Sequence, residues 1–106
     1  MVTHPLRGEI WWGEAPDVGR RPFLILTRSA AIPVLSKVIV APITRSIRAI
    51  PTELFLDRSD GMPEECAATF DNLAVLPTSY LTSRQCSLSP IRLAEACRAL
   101  RAATDC

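Results

Sequence analysis

Two apolar runs constrain this chain more than anything else in it. Pro22-Phe23-Leu24-Ile25-Leu26-Thr27-Arg28 follows a pair of arginines, Arg20 and Arg21, and Lys37-Val38-Ile39-Val40-Ala41-Pro42-Ile43-Thr44 comes soon after. Side chains branched at Cβ lose rotamer freedom in a helix and pack well on a pleated surface, so both runs are expected to be strands. They set an arginine at the start of one strand and a threonine at the end of the next, where an anionic substrate can meet both. Pro22 suits a first or edge position, which loses no ladder hydrogen bond. Pro42 marks an edge or bulge near the end of a strand expected to be buried on both faces.

The remaining elements are shorter. Gly8-Glu9-Ile10-Trp11-Trp12 reads as a first strand, and Ala15-Pro16-Asp17-Val18-Gly19 as the turn that follows it. Alternation puts Trp11 and Trp12 on opposite faces, so at most one points into the core, and the other is available for an interface or for stacking. Thr52 to Asp57 alternates in part and reads as a fourth strand, Arg58 to Glu65 as a solvated loop, and Ala67 to Leu76 as one or two short strands around Asp71-Asn72. The period changes at the C-terminus. Ser89-Pro90 forms an N-cap and first helical position, and Leu93, Cys97 and Leu100 share one face, predicting an amphipathic helix from Pro90 to Ala103. Short strands followed by one helix predict a mainly β fold, a small SH3-like barrel; an ordinary antiparallel α+β domain is the alternative.

A chain of 106 residues is expected to be one domain, residues 1–106, with any activity on one small surface or between copies. No apolar stretch approaches the ~18 residues of a spanning helix, and Met1-Val2-Thr3-His4-Pro5 lacks a secretory pattern, so a soluble cytoplasmic protein is expected. Net charge is only +1, but its distribution is uneven. Val18 to Thr52 holds six bases (Arg20, Arg21, Arg28, Lys37, Arg45, Arg48) and no acid, whereas Glu53 to Asp71 holds six acids and only Arg58 as a base. Such segregation can present a basic face to phosphates, unless the charges mix again in three dimensions.

Residue types then narrow the chemistry. The four cysteines, Cys66, Cys86, Cys97 and Cys106, include no closely spaced pair, and His4 sits near a terminus, so a zinc site is not expected. Cys97 reads as a small core residue and Cys106 as a tail thiol. A single histidine leaves no set for histidine-paired cleavage. If Gly61 is aligned with the glycine of a calcium loop, Leu56 falls at the first ligand position, so no metal and no cofactor are expected.

The order of Arg7-Gly8-Glu9-Ile10-Trp11, Arg21-Pro22 with its apolar continuation, and Pro42-Ile43-Thr44 resembles the MazF/PemK family of toxin endoribonucleases, across nearly the whole chain. The resemblance implies a small barrel and metal-independent cleavage of single-stranded RNA by attack of its own 2′-hydroxyl, leaving 2′,3′-cyclic phosphate and 5′-hydroxyl ends. It makes Arg21 and Thr44 the catalytic pair. A guanidinium can bind two phosphate oxygens while charge accumulates, and a hydroxyl can donate to the same phosphate. Asp71-Asn72-Leu73 matches a later family segment, which implies that Asn72 touches RNA; an Asx turn explains Asn72 equally well. Arg20, Arg28, Arg45 and Arg48 are the further expected RNA contacts. The first loop is shorter than in many members and lacks their serine, so the general base stays open between Glu14 and Asp17. The expected partners are a second copy of the chain and an antitoxin with an acidic, disordered segment. The alternatives are a CcdB-like, non-enzymatic toxin that binds DNA gyrase and a plain interaction module of the same fold.

Overall fold

The computed structural model describes residues 4–16 and 19–106. The strands are β1 (Glu9–Ala15), β2 (Gly19–Ile25), β3 (Lys37–Thr44), β4 (Glu53–Leu56), β5 (Cys66–Thr69), β6 (Ala74–Pro77) and β7 (Leu81–Ser87). A short helix α1 (Ile32–Leu35) lies between β2 and β3, and a long helix α2 (Pro90–Thr104) closes the chain. Every strand pair is antiparallel, in the order β4-β5-β3-β2-β1-β7, with β6 added beside β3. The fold is mainly β, a curled half-barrel with a C-terminal helix.

β3 makes the curl. Its first half, Lys37 to Val40, pairs with β6, and its last residues, Ile43 and Thr44, pair with β5. The Leu26 N–H donates to the Ile39 carbonyl at 2.9 Å, so odd-numbered residues of β3 bond toward β2 and even-numbered ones toward the other side. Pro42, lacking an N–H, therefore falls where β6 has ended and β5 has not begun. The same alternation makes Leu24 and Ala41 a hydrogen-bonded pair and would make Pro22 and Ile43 the next. Pro22 has no proton to give, and the β2–β3 ladder stops at Phe23 opposite Pro42. The two strands part there.

Alternation also builds two cores. Ile10 and Leu24, opposite each other on β1 and β2, join Leu54, Leu56 and Phe70 in the core that α2 covers with Ala96 and Ala99. Trp11 and Phe23, the next pair, face the other way and pack with Ile25, Ile32, Val38 and Val40. A Cβ on Gly13 would come within 3.0 Å of the Phe23 ring, so glycine is needed where that ring crosses β1.

Several expectations need correction. The second strand spans Gly19–Ile25 rather than Pro22 to Arg28, because pairing with β1 extends it ahead of Pro22 and leaves Arg28 beyond its end. β1 runs on to Ala15 where a turn was expected, and Asp17 and Val18 lie outside the described residues. β3 is not buried on both faces throughout, since Lys37 and Ile39 are exposed while Val38 and Val40 are buried. Cys97 is only half-buried, its sulfur accepting a hydrogen bond from Arg7 at 3.2 Å. α2 begins as expected, the Ser89 hydroxyl accepting the Arg92 N–H at 3.2 Å. Among the described residues no helix is long and apolar enough to cross a membrane.

Candidate active site between the second and third strands

Where β2 and β3 part, a cleft of about 370 Å³ opens. One side carries Arg20, Arg21 and Pro22 from β2 with Trp12 from β1, and the other carries Ile43 and Thr44 from β3 with Arg45 just beyond it. Met62, Pro63, Glu64 and Cys66 complete the lining. Pro22, which stops the β2–β3 ladder, thus also makes room for a ligand.

Arg21 sits opposite Gly13 in the β1–β2 register and is exposed. Thr44 is half-buried, and its Oγ1 accepts the Ser46 N–H at 3.1 Å. That bond fixes the oxygen and leaves the hydroxyl proton free to donate. Arg20 lies over Trp12, its guanidinium carbon 4.2 Å from the ring centroid. Trp12 in turn donates its indole N–H to Gln85 at 2.9 Å. Arg45 pairs with Glu64 at 3.2 Å, but both side chains are largely exposed (81% and 62%), so the pair adds little to stability.

The other expected contacts lie elsewhere. Arg28 borders a separate apolar cleft with Leu35, Ile39 and Val75. Arg48 is exposed in the loop after β3, its N–H bonded to Glu53 at 2.9 Å. Asn72 is exposed in a 3₁₀ turn, Phe70–Asn72, beside Asp71, which accepts the Thr52 hydroxyl at 2.6 Å. Glu14 faces Arg20 in the strand register but does not line the cleft, and Asp17 lies outside the described residues. The cleft therefore joins Arg20, Arg21, Thr44 and Arg45.

Glu64 was missed in the sequence because it falls in a stretch expected to be a solvated loop. Three features turn that stretch inward. A capping box between Asp57 and Asp60 winds a short turn, Arg58–Asp60. Gly61 follows with φ +99°, and a Cβ there would stand 2.6 Å from Cys86 Cβ. Arg92 of α2 binds Asp60 through Nε at 2.8 Å and also donates to the Phe55 carbonyl. Met62 is consequently buried, and Glu64 reaches the cleft. Segregation of charge along the chain does not carry over intact, since this acidic residue meets Arg45. Burial pushes the Cys66 thiol up to about 11, so it stays protonated near neutral pH and offers the cleft neither a thiolate nor a negative charge.

Over residues 6–104 the chain matches the family of PemK-like, MazF-like toxins of type II toxin-antitoxin systems. Probable endoribonuclease MazF5 of Mycobacterium tuberculosis is 40% identical over 107 residues, covering 100% of this chain and 98% of that protein. The solved Mycobacterium tuberculosis toxin MazF-mt6 superposes with a TM-score of 0.84 at 30% identity, over 92% of this chain and 96% of that one. An endoribonuclease from a mycobacterial species, solved in complex with its cognate antitoxin, gives 0.86 at 25% identity over 95% of each chain. With a half-barrel, a terminal helix and a match that spans almost its entire length, this chain belongs to the PemK-like, MazF-like toxin family of type II toxin-antitoxin systems.

Proposed function

We propose that this toxin-family endoribonuclease cuts single-stranded RNA in the β2–β3 cleft without a metal, and so blocks translation and growth in the cytoplasm. The observation that carries this reading is the meeting of Arg21 and Thr44 in one cleft, on the two strands that part beside Pro22. RNA supplies its own nucleophile, the 2′-hydroxyl, so the protein has to align attack with the leaving 5′-oxygen and stabilise the phosphorane. Arg21 binds the non-bridging oxygens, and the free Thr44 proton donates to the same group. Arginine holds its proton far above neutral pH, so its role is electrostatic. A base-paired helix hides base edges and restrains in-line geometry, which favours single strands.

The same basic residues suit an acidic antitoxin segment that folds onto the cleft and competes with RNA. A second copy of the chain is the other partner, supported by exposed Leu35, Ile39 and Val75 (61% exposed), which line one apolar cleft.

Substitution tests the cleft. Arg21→Ala should slow cleavage about 100- to 1000-fold while circular dichroism stays unchanged. Arg21→Lys should also be poor, because an ammonium loses the two-pronged geometry. Thr44→Ala should show a smaller defect. Near-wild-type cleavage by Arg21→Ala would remove the cleft from the chemistry.

A further inference from the structure

Cleavage engages the basic end of the cleft and leaves its acidic wall without a task. Among the described residues that line the cleft, Glu64 is the one carboxylate, and it is open to solvent. A carboxylate repels phosphate and accepts N–H donors, so this wall suits a base rather than the RNA backbone. The same cleft holds a stacked platform, the Arg20 guanidinium over the Trp12 ring, on which an unpaired base can continue the stack. Gln85 ties the two together. It accepts the Trp12 indole N–H at 2.9 Å and donates to the Gly61 carbonyl at 3.0 Å, at the turn that leads into Glu64.

We propose that Trp12, Arg20, Arg45 and Glu64 form a base-reading subsite that selects guanine beside the cleaved phosphate; the inference rests on RNA cleavage in the same cleft. Arg45 Nη1 donates to Glu64 Oε2 at 3.2 Å, which leaves its second Nη1 proton, the remaining lone pair of Oε2 and the whole of Oε1 open to a ligand. They present one donor next to two acceptors, the pattern that cytosine shows to guanine across a base pair. The Watson–Crick edge of guanine answers it with O6, N1–H and N2–H. Adenine and cytosine each set a ring acceptor against a carboxylate oxygen, and uracil flanks its single N–H with two carbonyls. Arg20, already stacked on Trp12, supports the base from its face.

The test begins with cut sites mapped on a long RNA by the wild-type protein, followed by rates on short RNAs that differ at one position. Guanine is expected next to the cut. Its replacement by adenine should lower kcat/KM by about 5- to 150-fold. Inosine, which lacks only the N2 amino group, should give an intermediate loss. Glu64→Gln pairs an acceptor with a donor, so the guanine-to-adenine ratio should fall toward one, both in cleavage and in binding of an analogue with 2′-deoxyribose at the scissile position. Cutting without guanine enrichment, or an undiminished ratio in Glu64→Gln, overturns the subsite and leaves the cleavage reading intact. Failure of the wild-type protein to cut any RNA overturns the cleavage reading instead. If Glu64→Gln does not fold, the wild-type guanine-to-inosine ratio still decides, and a ratio of one rejects the subsite.

Discussion

Glu9 is only 5% exposed, and the forces on its carboxylate oppose one another. Burial raises its pKa, but hydrogen bonds from the Trp11 indole at 3.0 Å, the Leu6 N–H at 2.7 Å and Arg84 at 3.1 Å outweigh it, and the net shift is downward. A carboxyl group with a depressed folded pKa contributes stability above its unfolded value, and that contribution is lost as pH falls through the folded one. Glu9→Gln is therefore expected to cost about 1–2 kcal/mol at pH 7, with the gap to wild type closing in acid as the native carboxylate protonates. Urea unfolding at neutral and acid pH measures this; a gap that stays constant would mean that the charge plays no part. In the sequence Glu9 is legible only as a polar position beside Trp11. Its ion pair with Arg84 on β7 joins residues distant in the chain and close only after folding.

At the scale of elements, local rules are legible and long-range ones are not. The start of α2 depends on Ser89 and Pro90 alone, and the bounds of β3 depend on a run of β-formers, so both are readable from neighbouring residues. The face of α2 is less so, because the most buried residues are the small Ala96 and Ala99 rather than Leu93 and Leu100. β7 carries mostly polar residues and, among the described residues, pairs only with β1, so its sequence lacks the apolar signal of a central strand. α1 has just four residues and ends at Ser36 with φ +55°, too short to show a period. The cleft is half legible. Arg21 and Thr44 are marked by their places on strands, whereas Glu64 reaches it through a turn set by the Asp57–Asp60 capping box, Gly61 and the distant Arg92 of α2.

For the whole molecule, one sheet divides its work between two cores and leaves a basic cleft where Pro22 stops the β2–β3 ladder. A small fold with exposed Val34 and Val75 gains by pairing, and sedimentation at micromolar concentration is expected to give a symmetric dimer; a monomer that still cuts RNA would count against it. Antitoxin peptide and a non-cleavable RNA analogue should exclude each other, both binding more weakly as salt rises, and a stable ternary complex would place inhibition at a separate surface. The central claim is that the chain cuts RNA through the substrate's own hydroxyl, with arginine and threonine in the cleft. The most direct measurement incubates purified protein with a long RNA in excess chelator and identifies the ends of the fragments. Cleavage undiminished by chelator, with 2′,3′-cyclic phosphate on one side of each cut and a 5′-hydroxyl on the other, is the predicted result. Fragments bearing 5′-phosphate, or activity that chelator abolishes and magnesium restores, would contradict it.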